Sequence, residues 1–171
     1  MQPGGKDLKQ MYDRQVRVLS ARPGAAWTRG QAVARLGDGL RCEIRFGEHS
    51  LHADAGKLDG GDESAASPGQ IVRAGLAGCL AIGYRMWAAR LGVPFGDLEV
   101  DIVCELDARG QLGIDGVPVA WQRISWTVRV TSDAPESEVV RVLDHADRLS
   151  PMLGAMDRGI ERVRTVQVVR P

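Results

Sequence analysis

Neither sign of charge is in excess. Lys plus Arg and Asp plus Glu each number 22, so the formal net charge is zero, and the chain offers no surplus of cations to draw in a phosphate backbone. Nucleic acid is therefore not an expected partner. Long apolar runs are lacking as well: no stretch reaches the roughly 18 residues of a membrane span, and the opening MQPGGKDLKQ lacks the apolar core of a secretory leader. A cytoplasmic protein with no membrane partner is the expectation. Cysteine is scarce, at three in 171 residues. Cys42, Cys79 and Cys104 form neither a paired framework nor a CxxC metal motif, which suits a reducing compartment and calls for no metal or other cofactor. The length suffices to bury a core without staples, so one domain over residues 11–171 is expected behind a flexible N-terminus at residues 1–10, rich in Gly, Pro, Lys and Gln.

What the chain does contain is one dominant helical stretch, from Ser67-Pro68-Gly69-Gln70 to Leu91-Gly92. Ser67 is a good N-cap, Pro68 suits the first helical position because its missing N–H would be unpaired there, and Gly92 supplies a left-handed end. Between the caps, Ile71, Val72, Leu76, Leu80, Ile82, Met86, Trp87 and Leu91 spread around the circumference, broken only by Arg73, Arg85 and Arg90. A helix apolar nearly all round is a buried one. Gly75, Gly78 and Gly83 each cost about 1 kcal/mol relative to Ala in a helix interior, a sum that fits close approach of other backbone or of a ligand. Cys79 sits among them.

Around this helix the elements read as α+β. Met11–Ala21 alternates loosely and is expected as a strand, followed by strands over Trp27–Leu36 and Leu40–Phe46 with Gly37-Asp38-Gly39 as their turn, and by a short strand at His49–Ala53. Residues 56–66 form a polar, glycine-rich loop. After the long helix come strands at Asp97–Ala108 and Val117–Thr131, then a helix entered at Asp133-Ala134-Pro135-Glu136 with Val139, Val142, Leu143 and Ala146 on one face. Ser150-Pro151 opens a short helix reaching about Ile160, and Val163–Val169 is a last strand.

The order Asp54, Gly60-Gly61, Ser67-Pro68, then Ala-Gly-Leu-Ala-Gly-Cys-Leu-Ala, then the strand Leu98-Glu99-Val100-Asp101-Ile102 resembles the osmotically induced and organic hydroperoxide resistance proteins, the OsmC/Ohr family, from about Trp27 onward. The resemblance implies an intertwined homodimer of two α+β subunits, their antiparallel sheets packed around a long buried central helix. It also implies a thiol peroxidase whose attacking cysteine, here Cys79, lies on that helix at the subunit contact. Within the family an arginine from the early strands and a glutamate at the helix entry assist the thiol, and a second cysteine resolves the oxidised form. Here the helix entry reads Gly69-Gln70, without a carboxylate. Arg29 is the candidate arginine, and Ser150 stands at the resolving position, where a hydroxyl forms no disulfide.

A thiol attacks a peroxide only as thiolate, and the sulfenic acid that results needs another thiol to reduce it. Cys79 lies too deep in its helix for the N-terminal dipole to act on it, so activation falls to side chains. Three readings stay open: an inert core thiol, a one-cysteine peroxidatic thiol serviced by an external small thiol or by Cys42 or Cys104, and a non-catalytic pocket that binds a small apolar ligand. Met86, Trp87 and Met152 are the candidate pocket residues, although core packing explains them equally well. His49, His52 and Asp54 read as a solvated edge rather than a metal set.

Overall fold

The computed structural model describes residues 5–157. In chain order it contains α1 (Gly5–Ala21), β1 (Val33–Leu36), β2 (Cys42–Phe46), β3 (His49–Ala53), α2 (Pro68–Leu91), β4 (Leu98–Glu105), the single turn α3 (Ala108–Gln111), β5 (Arg123–Val130), α4 (Glu136–Arg148) and α5 (Pro151–Asp157). The expected last strand at Val163–Val169 lies outside the described residues. No helix among those described is long and apolar enough to cross a membrane.

The first element corrects the sequence reading. Residues 11–21 are helical, not extended, in a helix that begins at Gly5. Leu8, Tyr12, Val16 and Leu19 recur at spacings of four and three, the period of a helix that lays one stripe on a neighbour. That neighbour is α2. Strand β1 is also shorter than expected, because β2 turns back at Gly47 (φ 59°) into β3. Beyond the Val33↔Arg45 pair, residues 27–32 have no regular structure. The Gly37-Asp38-Gly39 turn and the antiparallel order β1-β2-β3 follow the expectation.

Asp54, just past β3, fixes the loop that leads into α2. Its side chain is 2 % exposed and accepts hydrogen bonds from the backbone N–H of Ala55 at 2.8 Å, the backbone N–H of Ser64 at 2.9 Å and the Ser64 hydroxyl at 2.7 Å. The Ser64 bonds are the main reason its carboxyl is held below the usual carboxylate range. Gly61 closes the same loop against Ala55, whose carbonyl oxygen would stand 2.2 Å from a Cβ at that position. Only glycine fits there. A parallel bridge between Ala53 and Ala66 then delivers Ser67 to the helix entry.

Helix α2 has the ends foreseen for it. The Ser67 side chain accepts from the Gln70 N–H, the Gln70 Oε1 accepts from the Ser67 N–H at 2.7 Å, and Gly92 closes the helix at φ 73°. This is a reciprocal capping box. Gln70, read in the sequence as an entry without a carboxylate, is thus used to start the helix. Leu76, Leu80, Tyr84 and Ala88, four residues apart, form its buried stripe. They pack on the inner face of the antiparallel pair β4–β5, where Leu98, Val100 and Ile102 lie beside Ile124, Trp126 and Val128, and on Val142 and Ala146 of α4. Burying each large apolar side chain contributes about 1.5–3 kcal/mol, so the core of this chain is centred on one face of α2. Among the described residues nothing covers the opposite face: Ile82 is 63 % exposed, and a Cβ at Gly75 or Gly78 would have nothing within 4 Å.

Strand β5 begins at Arg123, six residues later than expected, because β4 ends at Glu105 and the ladder closes with the Glu105↔Arg123 pair. The preceding segment packs elsewhere, with the Pro118 carbonyl 2.4 Å from where a Cβ on buried Gly110 would stand. Helices α4 and α5 lie where the sequence places them, α5 being described only to Asp157.

Candidate active site

Cys79 lies eleven residues past Pro68, about 16 Å along the axis at 1.5 Å per residue, beyond the reach of the helix dipole. Its half-buried side chain lines a pocket of about 250 Å³. The rest of the pocket follows from helical spacing. Gly83 and Met86, four and seven residues on, stand on the same face as Cys79, and the bare Cα of Gly83 leaves room beside the sulfur. Trp87 and Leu80 flank that stripe, Tyr12 of α1 closes one side, and Leu149, Ser150 and Pro151, between α4 and α5, close the other.

Ser150 caps α5, its Oγ accepting from the Leu153 N–H at 3.3 Å. Among the described residues this hydroxyl donates to no acceptor. Behind the pocket, the fully buried Tyr84 ties α2 to α4: its hydroxyl donates to Asp147 Oδ1 at 2.6 Å and accepts from the Trp126 Nε1–H at 3.1 Å. Burial, reinforced by the Asp147 hydrogen bond and charge, pushes the Tyr84 hydroxyl well above its ordinary range. Burial likewise raises the Asp147 carboxyl, the Tyr84 hydrogen bond opposing it and nearby Asp144 adding to it.

Of the residues singled out in the sequence, Cys79, Ser150, Met86 and Trp87 meet in this one pocket. Met152 packs on the core cluster of Leu76, Leu80, Tyr84 and Ala146 instead of the pocket wall. Gly69 and Gln70 are at the helix entry, with Gln70 engaged in the capping box. Arg29 is exposed in the irregular segment before β1 and does not line the pocket. Cys42, paired with Ala53 across β2–β3, and Cys104, on the inner side of β4, do not line it either. Burial raises the Cys104 thiol, and the charge of Arg73 opposes that shift. Sequence reasoning overlooked Tyr12, Tyr84 and Asp147, the helical period of residues 8–19 being the available signal for Tyr12, whereas Gly83, expected to admit close approach of backbone or a ligand, does line the pocket.

A family model described as OsmC-like protein matches residues 60–162, more than half of the chain and including α2 and its cysteine. The chain belongs to the OsmC-like family. Solved OsmC-fold structures agree with the architecture. An OsmC-like protein from Mycoplasma pneumoniae superposes with a TM-score of 0.65 at 14 % identity, covering 76 % of this chain and 88 % of that one. An organic hydroperoxide resistance protein OsmC from Legionella pneumophila gives 0.57 at 20 % identity, with 77 % and 90 % covered. An organic hydroperoxide resistance protein from Elizabethkingia anophelis gives 0.61 at 14 %, with 77 % and 89 % covered. No curated protein matches the chain. Within the matched span, Cys79 and Ser150 share one pocket, and no arginine among the described residues lines it.

Proposed function

We propose that this OsmC-like protein is a one-cysteine thiol peroxidase of oxidative stress defence that reduces organic hydroperoxides in the cytoplasm. The observation that carries the reading is Cys79 beside open space in an apolar pocket, with the Ser150 hydroxyl, which has no acceptor among the described residues, on the opposite wall. The Cys79 thiolate attacks the terminal oxygen of ROOH, forming an S–O bond as the O–O bond breaks and leaving Cys79–SOH and an alkoxide that takes up a proton as ROH. The Ser150 O–H supports the departing oxygen by hydrogen bonding. An external small thiol then condenses with Cys79–SOH, releasing water and leaving a mixed disulfide. A second thiol displaces Cys79 as the free thiol.

The test is hydroperoxide consumption with a dithiol reductant, together with mass detection of oxidation at Cys79. Turnover that Cys79→Ser abolishes is the expected result; absence of both turnover and sulfenic acid at micromolar peroxide rejects the reading. A second reading has specific support, because the pocket lacks a guanidinium among the described residues and offers a serine where the family has a thiol. In that reading the protein binds a small apolar ligand without catalysis, and ligand retained by an unreactive Cys79 identifies it.

The unit proposed to act is an intertwined homodimer. Its support is the face of α2 where, among the described residues, nothing packs on Gly75 or Gly78 and Ile82 is exposed. A helix apolar all round needs a second surface to cover it. Ile82→Lys is expected to shift the sedimentation coefficient from dimer to monomer at micromolar concentration. A wild-type chain that already sediments as a monomer refutes the dimer.

A further inference from the structure

Helix α1 contributes one side chain to the Cys79 pocket, and that side chain is locked in place. The Tyr12 ring lies 6.1 Å from the Trp87 ring at 42°, and the Arg90 guanidinium sits over both, 5.2 Å from the Tyr12 centroid and 4.6 Å from that of Trp87. His145 of α4 meets the Trp87 ring in a T-shaped contact at 4.3 Å between centroids, and the Tyr12 hydroxyl points to the Met86 sulfur at 4.0 Å. Stacked and cation–π contacts of this kind hold aromatic rings in fixed orientations. Tyr12, Trp87 and Met86 all line the pocket, so one wall presents two oriented rings with a polarizable thioether at the Tyr12 hydroxyl. Met86 adds the S–aromatic contact that favours a ring over a plain alkyl group.

We propose that α1 is the specificity element of this pocket, Tyr12 and Trp87 forming an aromatic wall that selects hydroperoxides carrying a single aromatic ring over small alkyl hydroperoxides. The inference rests on the peroxidase reading for its substrate but on the wall alone for its preference. The volume of about 250 Å³ is just below the 300–1,000 Å³ of pockets for drug-sized ligands, which suits one ring with a short branched substituent.

Cumene hydroperoxide and tert-butyl hydroperoxide isolate the ring, because they differ only in a phenyl for a methyl. The wild-type kcat/KM is expected to favour the cumene compound about tenfold, and Tyr12→Leu to cut that preference about fivefold, the range of one aromatic contact. Tyr12→Phe, which keeps the ring, retains the preference. Arg90→Gln leaves the sequence of α1 intact while releasing the stack, and it is expected to lower the ratio as well. An unchanged ratio in both Tyr12→Leu and Arg90→Gln overturns the proposal. Binding of the product alcohols, cumyl alcohol and tert-butanol, to Cys79→Ser protein by calorimetry separates this from the peroxidase reading. If the wild type turns over no hydroperoxide, tighter binding of cumyl alcohol that Tyr12→Leu removes still supports the aromatic wall. Equal binding of the two alcohols sinks it.

Discussion

Tyr84→Ala is expected to cost about 3–5 kcal/mol of folding free energy, the range for truncating a large buried aromatic. It should lower the melting temperature by about 10 °C, at 2–4 °C per kcal/mol for a chain of this size. The magnitude follows from position: Tyr84 is 0 % exposed in the stripe that meets both the β4–β5 face and α4. Removing it opens a cavity and also strips Asp147 of its donor and the Trp126 indole of its acceptor. Tyr84→Phe isolates the polar part. It keeps the ring but leaves a partly buried carboxyl and an indole N–H without their partner, an expected loss of about 1–3 kcal/mol. Alkaline pH gives an independent signature. The folded-state pKa of Tyr84 is raised above its ordinary 10.0, so the folded protein holds that proton more tightly than the unfolded chain. Its stabilisation is complete below about pH 10 and is lost as pH climbs through the raised value. Urea titrations from pH 9 to 11 should show stability falling in the wild type and a shallower fall in Tyr84→Phe. Equal slopes and equal midpoints in the two proteins would mean that the hydroxyl contributes nothing to holding α4 on α2.

Tyr84 also shows where the sequence was readable. Helix α2 was legible because its signals are local: Ser67 and Pro68 at one end and Gly92 at the other satisfy backbone groups within a few residues. Its cysteine and the OsmC-like pattern around it were legible for the same reason. The partners of Tyr84 were not, since Trp126 and Asp147 are 42 and 63 residues away and only packing brings them together. Helix α1 was misread because loose alternation over residues 11–21 resembles a strand, while the stripe that decides the matter starts at Leu8 and needs α2 as its counterpart. Strands β1 and β5 were overextended for a related reason. A strand ends where its partner turns away, at Gly47 for β1 and after Glu105 for β5, and that is a property of the pair. Gln70 was read as the loss of a charge, but the spacing Ser67 to Gln70 already spelled a capping box.

Ser150→Cys is expected to convert the pocket from one thiol to a disulfide-forming pair with Cys79, and the effect has opposite signs in the two redox states. In the reduced protein the change removes the side-chain oxygen that accepts from the Leu153 N–H, a cap worth about 1 kcal/mol. The melting temperature should therefore fall by a few degrees. In the oxidised protein, a bond closing the loop between positions 79 and 150 restricts the unfolded chain by about 4 kcal/mol on the loop-entropy model, provided the native geometry bears it without strain. Stability should then exceed that of the wild type. The premise is that both side chains line one pocket, on α2 and on the link between α4 and α5. Adding one equivalent of hydroperoxide should give an intramolecular disulfide by mass spectrometry, with loss of both free thiols and of one water from Cys79–SOH. A sulfenic acid at Cys79 that persists beside a free thiol at position 150 means that the two positions do not face each other within bonding distance. An absence of any oxidation, with both thiols still alkylated rapidly, points instead to the ligand-binding reading of the pocket.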